Sequence, residues 1–140
     1  MDSRTSSSGL ALVERLRDAV NRHDLEALAG CFAPDFLNET PVHPARSFHG
    51  REQVRRNWAQ IFAGVPDIEA QVLRSSFDAA SAWTEWEMQG TRRDGTPHLM
   101  RGVSIFGVGD DQFTSVRFYL EPVEDGGVTV DAAVRQAVGQ

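Results

Sequence analysis

Apolar side chains recur at helical spacing in the first part of the chain and alternate with polar side chains in the rest. Residues 10–21 carry an apolar stripe with charged residues on the opposite side, which predicts an amphipathic helix. Asp24 is suited to cap a second, short helix, which has to stop at Pro34 because proline disrupts a helix interior. Residues 51–64 restore the helical period and predict a third helix.

Strand-like segments dominate the second half of the chain. A first short strand is predicted at residues 36–40 and is followed by a loop at residues 41–50. Four more runs are separated by short turn segments and predict consecutive antiparallel strands, at residues 68–76, 81–91, 98–108 and 114–122. Helices followed by strands indicate an α+β domain with the helices on one face of the sheet. A sheet that curls around a helix encloses a cavity.

The length of 140 residues fits one domain. Residues 1–9 are polar and rich in serine, so we expect a flexible leader there. Residues 10–123 form the predicted pocket domain. Residues 124–140 form a tail whose apolar positions fit a short final helix that docks on the domain.

Composition and charge narrow the possible partners. The chain is 41% hydrophobic and 24% charged, with a formal net charge of -6, so it fits an ordinary globular protein that repels nucleic acid. No apolar run approaches the roughly 20 residues needed to span a membrane, and no signal peptide is recognisable, so we expect a cytoplasmic protein. No residues have the spacing of metal ligands or of a phosphate-binding loop, which predicts neither a metal nor a cofactor. The single cysteine, Cys31, is expected to be a buried small apolar residue.

Several short motifs resemble one known superfamily. They are NRHDLEAL at residues 21–28, FAPD at 32–35, FHGRE at 48–52, WTEW at 83–86 and RFYLEP at 117–122. Together with the order of elements, they resemble the nuclear-transport-factor-two-like superfamily, in its SnoaL-like and ketosteroid-isomerase-like branches. The resemblance implies a cone-shaped, curled antiparallel or mixed sheet wrapped around the N-terminal helices, that is, a cystatin-like roll. It also implies a hydrophobic small-molecule ligand and, with apolar residues on both faces of the strands, a homodimer.

The resemblance does not extend to two known catalytic sets. Ketosteroid isomerases use a carboxylate base, a tyrosine and a protonated acid, and this chain has Thr40, Leu16 and Gly102 at those places. Epoxide hydrolases of the limonene type use two acids bridged by an arginine. Phe118 stands where one of those acids is expected, and no Arg-x-Asp pair occurs on the middle strand. The sequence therefore predicts neither of these two reactions.

Three residues are predicted to perform acid–base catalysis. SnoaL-like cyclases carry a polar pair before the first proline of this region and an acid near the end of the last strand, and Asn38-Glu39 and Glu121 match those places. Glu39 is the leading candidate, because a carboxylate at the mouth of an apolar cavity has its charged form disfavoured. His43 is the candidate partner in proton transfer, and Asn38 is the candidate donor to a developing oxyanion. A loop or surface position for each of these residues stays open.

Strand alternation predicts which face of the sheet the other candidate residues occupy. It places Phe118 and Leu120 on one face of the last strand and Glu121 on the other, so Glu121 would reach the pocket only through a β-bulge. His98 is predicted to be a surface residue, and Arg101 to form a salt bridge across strands with Glu85, Glu87 or Glu121. The predicted ligand-binding side chains, besides Asn38, are large and mostly aromatic: Trp58, Phe62, Trp86, Met100 and Phe118.

Two functions therefore stay open. One is a small cofactor-independent enzyme that transfers protons on a hydrophobic substrate as a cyclase, isomerase or hydratase. The other is a non-catalytic binding protein or dimeric scaffold of the same fold. The position of Glu39 relative to the cavity separates them.

Overall fold

Helices precede strands along the chain, as the sequence predicts. The computed structural model describes the backbone of residues 3–140 and the side chains of residues 8–140. The helices are α1 (Ser3–Asn21), α2 (Leu25–Ala29), α3 (Arg51–Gly64) and α4 (Val130–Ala137), with a 3₁₀ turn at Pro44–Arg46. The strands are β1 (Phe32–Glu39), β2 (Phe48–His49), β3 (Glu69–Phe77), β4 (Ser81–Thr91), β5 (Pro97–Val108) and β6 (Phe113–Pro122).

The strands form one six-stranded mixed sheet in the order β2-β1-β6-β5-β4-β3. The four strands β3 to β6 pair antiparallel with their sequence neighbours, which confirms the predicted run of consecutive strands. β1 lies parallel to β6 and antiparallel to β2. The curled sheet and its N-terminal helices confirm the predicted α+β cone.

Helix α1 anchors the helical layer on the sheet. Its buried side chains include Leu12, Leu16 and Val20, the apolar stripe of the sequence pattern. At its end, the side-chain amide of Asn21 donates to the Ala70 carbonyl at 3.0 Å and accepts from the Ala70 amide at 2.7 Å. Because this pairing satisfies both backbone groups of a strand residue, it fixes the end of α1 against β3.

The N-terminal boundaries differ from the prediction. α1 begins at Ser3, so the predicted flexible leader of residues 1–9 is too long; Met1 and Asp2 lie outside the described residues. Once the buried part of a helix is nucleated, each added residue gains a hydrogen bond, which permits the extension. Asp24 caps α2 as predicted, since its carboxylate accepts from the Ala27 amide at 3.1 Å.

The first strand is longer than predicted and contains Pro34. α2 already ends at Ala29, and β1 starts at Phe32. The register between β1 and β6 shifts between Phe32 and Leu37. Pro34 therefore lies in an irregular part of the strand, where its missing N–H is tolerated. The loop predicted at residues 41–50 also contains the 3₁₀ turn and the two-residue strand β2.

The C-terminal helix forms but does not dock. No residue of α4, all of which the structure describes, is buried, and the nearby valines Val130, Val134 and Val138 are 76%, 56% and 64% exposed. The apolar spacing was sufficient to predict the helix and insufficient to predict its packing. Among the described helices, none is long and apolar enough to cross a membrane. The cytoplasmic location stays a prediction.

Candidate functional site

A cavity of about 320 Å³ lies between the inner face of the sheet and helices α1 and α3. Its position follows from strand alternation, because every second residue of β4, β5 and β6 faces the helices. Successive inward rows across these three strands are Ala82–Phe106–Val116, Thr84–Ser104–Phe118 and Trp86–Gly102–Leu120. The next row toward the open end is Met88–Met100–Pro122.

The walls of the cavity are mainly apolar and aromatic. Trp58 from α3 faces Trp86 and Phe118 from the sheet, and all three line the cavity. Trp86 is only 1% exposed, and its indole Nε1 donates to the Thr84 hydroxyl at 2.7 Å. That hydroxyl in turn donates to the Ser104 carbonyl at 2.8 Å. The orientation of the Trp86 ring is therefore fixed by a buried chain of two hydrogen bonds.

A glycine is required on β5 at the Trp86 row. Gly102 has a φ of +153°, which side-chain-bearing residues rarely adopt. A Cβ atom there would collide with the Tyr119 carbonyl and the Leu120 Cα of β6. The close approach of β5 and β6 at this point therefore requires glycine.

A few polar groups interrupt the apolar walls. Asn38 and Thr40 are buried, and the Asn38 amide donates to the Thr40 hydroxyl at 2.9 Å. Ser104 is 3% exposed and lines the cavity midway along β5. Asn57 on α3 also lines it and accepts a hydrogen bond from Gln53 at 2.8 Å. Small numbers of placed polar groups in an apolar wall are typical of sites that bind organic ligands.

The rim of the cavity holds the predicted His43 and Glu121 together. His43 Nε2 lies 2.8 Å from Glu121 Oε1, and the side chains are 34% and 42% exposed. Glu121 lines the cavity, and Arg46 from the 3₁₀ turn lines it as well. Glu121 is also the only carboxylate among the described lining residues.

His98 belongs to the cavity wall. It lies near the start of β5, shares the inward parity of Met100, and is partly buried. Burial lowers the pKa of its imidazole below the ordinary 6.5, and the positive charge of Arg92 acts in the same direction. His98 is therefore neutral at pH 7, so one of its ring nitrogens donates a hydrogen bond and the other accepts one.

Glu39 does not face the cavity, which corrects the leading prediction. Its side chain lies on the outer face of the sheet, 47% exposed, and Arg117 Nη1 lies 3.1 Å from Glu39 Oε2. The reason is strand parity: Asn38 and Thr40 face inward, so the residue between them faces outward. Glu39 therefore has no contact with a ligand in this cavity.

Two other expectations about the site were wrong. Phe62 does not line the cavity, because its ring stacks on His23 at a centroid distance of 4.9 Å. Glu121 needs no β-bulge: the register between β5 and β6 runs without a shift from Met100 to Gly107. Glu121 reaches the rim because β6 ends at Pro122, next to the loop that carries His43.

The remaining predicted ligand-binding side chains line the cavity: Asn38, Trp58, Trp86, Met100 and Phe118. Arg101 forms the predicted cross-strand salt bridge on the outer face, 2.7 Å from Glu87. The lining residues that sequence reasoning missed include Arg46, Asn57, His98 and Ser104. Alternation along β5 gave a signal for His98 and Ser104, which share the parity of Met100.

Cys31 and the acidic residues do not add a further chemical site. Cys31 is 1% exposed, as predicted, and burial raises the pKa of its thiol. Among the described residues, no group of three or more His, Cys, Asp or Glu side chains is arranged to hold a metal ion.

Comparison with known proteins places this geometry in a family. Residues 13–116 match the model of the SnoaL-like domain. No match was found among curated protein sequences. A Jannaschia sp. CCS1 protein assigned as a SnoaL-like polyketide cyclase is similar in structure, with a TM-score of 0.73, 18% identity, and coverage of 96% of this chain and 94% of that one.

Two mycobacterial structures are also similar. An LEH-like epoxide hydrolase from Mycobacterium tuberculosis gives a TM-score of 0.71 at 17% identity, covering 83% of this chain and 84% of that one. A second M. tuberculosis protein, in complex with estradiol-17beta-hemisuccinate, gives a TM-score of 0.67 at 17% identity, covering 79% and 91%. At these identities the likeness shows the shared fold.

Proposed function

The chain belongs to the SnoaL-like domain family, and from this premise we propose that it is a small enzyme that transfers protons on a hydrophobic organic molecule. The reaction class is that of a cyclase, isomerase or hydratase. The observation that carries the proposal is the pairing of His43 with Glu121 at the rim of an apolar, aromatic cavity. The solved structures with this fold include a cyclase and an epoxide hydrolase, which is consistent with such chemistry.

In this proposal Glu121 is the acid–base residue and His43 is its positioning residue. Glu121 lines the cavity, and His43 Nε2 lies 2.8 Å from its Oε1. The Glu121 carboxylate removes a proton from a bound substrate or returns one. His43 orients this carboxylate, and its imidazole relays a proton between Glu121 and solvent.

A generic proton-transfer probe tests this role without knowledge of the natural substrate. In 5-nitrobenzisoxazole, a base removes the proton from the ring carbon while the N–O bond breaks, which releases a coloured nitrophenolate. General acid–base residues contribute about 10²–10⁴-fold to rates. We expect Glu121→Gln to lower kcat/KM at least about tenfold and His43→Ala to lower it by a smaller factor.

The matched control is Glu39→Gln. It makes the same change of charge and shape at a carboxylate that also lies beside a nitrogen-containing side chain, here Arg117, but on the outer face. Its kcat/KM should equal that of the unaltered protein. Equal rates for the Glu121 and Glu39 variants, whether both fast or both slow, would remove Glu121 from the mechanism.

The alternative is a non-catalytic binding protein, and one observation favours it. With Glu39 on the outer face, Glu121 is the only carboxylate among the described lining residues, and it is 42% exposed. A similar structure holds estradiol hemisuccinate, so this compound is a suitable probe. Quenching of Trp58 and Trp86 fluorescence in a Trp83→Phe background, with no turnover of the benzisoxazole, would favour binding alone.

We also propose that the outer face of the sheet forms a homodimer. Trp83 and Leu73 are 50% and 43% exposed there, and Val103, Ile105 and Tyr119 belong to the same outward rows. An exposed patch of this kind on an antiparallel sheet suits association with a second copy. Sedimentation velocity at micromolar concentration should give a dimer that Trp83→Glu converts to a monomer. A monomeric unaltered protein would contradict this interface.

A further inference from the structure

Ser104 places a hydroxyl in the apolar cavity wall, and this hydroxyl is open to the cavity. The residue is 3% exposed and lines the cavity, so its side chain is directed into the cavity from the middle of β5. Its carbonyl accepts from the Thr84 hydroxyl. The Ser104 hydroxyl itself makes no hydrogen bond with any residue that the structure describes.

The hydroxyl of the neighbouring Thr84, in the same inward row, does have hydrogen-bond partners within the protein. Thr84 is 1% exposed, and its hydroxyl both accepts from Trp86 and donates to Ser104. The Ser104 hydroxyl, by contrast, is not an enclosed atom without a partner but faces the cavity, where a bound molecule can reach it. A polar group placed in an otherwise apolar wall is typical of a site that binds and orients an organic ligand.

The distance from Ser104 to the rim sets the size of that partner. Ser104 lies opposite Phe118 on β6, and Glu121 follows Phe118 by three residues on the same strand. At about 3.3 Å per residue, Ser104 lies roughly 10 Å from the Glu121 end of the cavity. Phe118 and Trp86 line the wall between the two points, and they favour a flat ring system.

We propose that Ser104 is a specificity-determining residue that hydrogen-bonds a hydroxyl or carbonyl oxygen at the buried end of a ring-containing ligand. The ligand is an uncharged or weakly polar molecule roughly 10 Å long, whose other end reaches Glu121. This rests on the proposed function insofar as the cavity binds the small molecule on which Glu121 acts. A ligand can hydrogen-bond to Ser104 whether or not Glu121 is catalytic.

Two bicyclic probes of nearly the same shape test the inference. 2-Naphthol carries a hydroxyl where 2-methylnaphthalene carries a methyl group, and calorimetric titration gives the affinity of each. Because a hydrogen bond contributes about 0.5–1.5 kcal/mol net, Ser104→Ala should weaken 2-naphthol about two- to tenfold. The affinity for 2-methylnaphthalene should stay equal or rise.

The control is Ser76→Ala, which removes a serine hydroxyl from β3, exposed and paired with outward Trp83. It should change neither affinity. An equal loss for both probes in Ser104→Ala would indicate a packing effect and would overturn the inference, as would no loss for either. Failure of both probes to bind the unaltered protein would contradict the proposed ligand class.

The Ser104 titrations and the benzisoxazole assay of Glu121 can succeed or fail independently of each other. Selective loss of 2-naphthol with unaffected turnover in Glu121→Gln would support Ser104 and reject the catalytic proposal. Unchanged 2-naphthol binding in Ser104→Ala, with turnover lost in Glu121→Gln, would give the opposite result. Ser104→Cys, which keeps the side-chain size with a weaker donor, should fall between serine and alanine.

Discussion

Replacing Thr84 with valine removes one hydroxyl and leaves the shape of the side chain almost unchanged. Thr84 is 1% exposed; its hydroxyl donates to the Ser104 carbonyl on the neighbouring strand β5 and accepts from the Trp86 indole on its own strand β4. The substitution therefore tests whether this buried chain holds the cavity wall, with little change in packing volume.

The magnitude follows from the two bonds. Loss of the bond to the Ser104 carbonyl removes about 1 kcal/mol, since that carbonyl keeps a second lone pair for the sheet. The indole N–H of Trp86, itself 1% exposed, is left without its acceptor. An orphaned buried donor costs about 1–3 kcal/mol. Thr84→Val should therefore destabilise the protein by about 2–4 kcal/mol.

Urea unfolding followed by far-ultraviolet circular dichroism measures this change as a lower midpoint at unchanged slope. The informative comparison is a double-mutant cycle with Trp86→Phe, which removes the indole N–H. In that background Thr84→Val should cost only about 1 kcal/mol, because no buried donor is orphaned. Thr84→Ser keeps the hydroxyl and should retain both hydrogen bonds, so it is the control for altering the side chain at this position without orphaning the indole.

Two results would refute the reasoning. A cost below about 0.5 kcal/mol for Thr84→Val would mean that the buried chain contributes little. Additive costs in the cycle would mean that the indole does not depend on the hydroxyl for its hydrogen bond.

Two further predictions concern β5. The folded structure lowers the pKa of His98, so the unfolded chain takes up a proton at higher pH than the folded one. The free energy of unfolding should therefore fall as the pH drops through about 6.5. Between about pH 7 and pH 5, the urea midpoint of His98→Gln should fall less than that of the unaltered protein. An imidazole pKa at or above 6.5 by NMR titration would contradict this. Gly102→Ala should cost more than about 3 kcal/mol or prevent folding, because its Cβ meets the backbone at Tyr119. Gly64→Ala, with open space around its Cβ at the end of α3, should retain or gain stability, and equal effects would remove the special role of Gly102.

The alternation of residues along β4 to β6 determined much of the fold before the structure was considered. The strand pattern predicted the antiparallel run, and alternation placed Phe118 and Leu120 on one face of β6, which is the inner face in the structure. These predictions succeed because neighbouring side chains on a strand must point to opposite faces, whatever the strand packs against.

The same rule also decides positions on β1 and β5 that the predictions missed. Parity between inward Asn38 and Thr40 sends Glu39 to the outer face, and parity with Met100 brings His98 and Ser104 into the wall. The sequence pattern therefore contains a signal for these positions. The first-strand boundary was harder to predict, because a proline inside β1 is tolerated only through the irregular pairing with β6.

The sequence by itself determined the order of elements and most of the apolar side chains of the cavity, because these depend on local periodicity and on glycine and proline. The curl of the sheet was implied by the resemblance to a known superfamily. Only the tertiary structure decided that Glu121 meets His43 at the rim, that Phe62 stacks on His23, and that no residue of α4 is buried. Each of these depends on how far apart two distant segments come to lie. No local pattern encodes that distance, since it is set by the packing of the whole sheet and its helices.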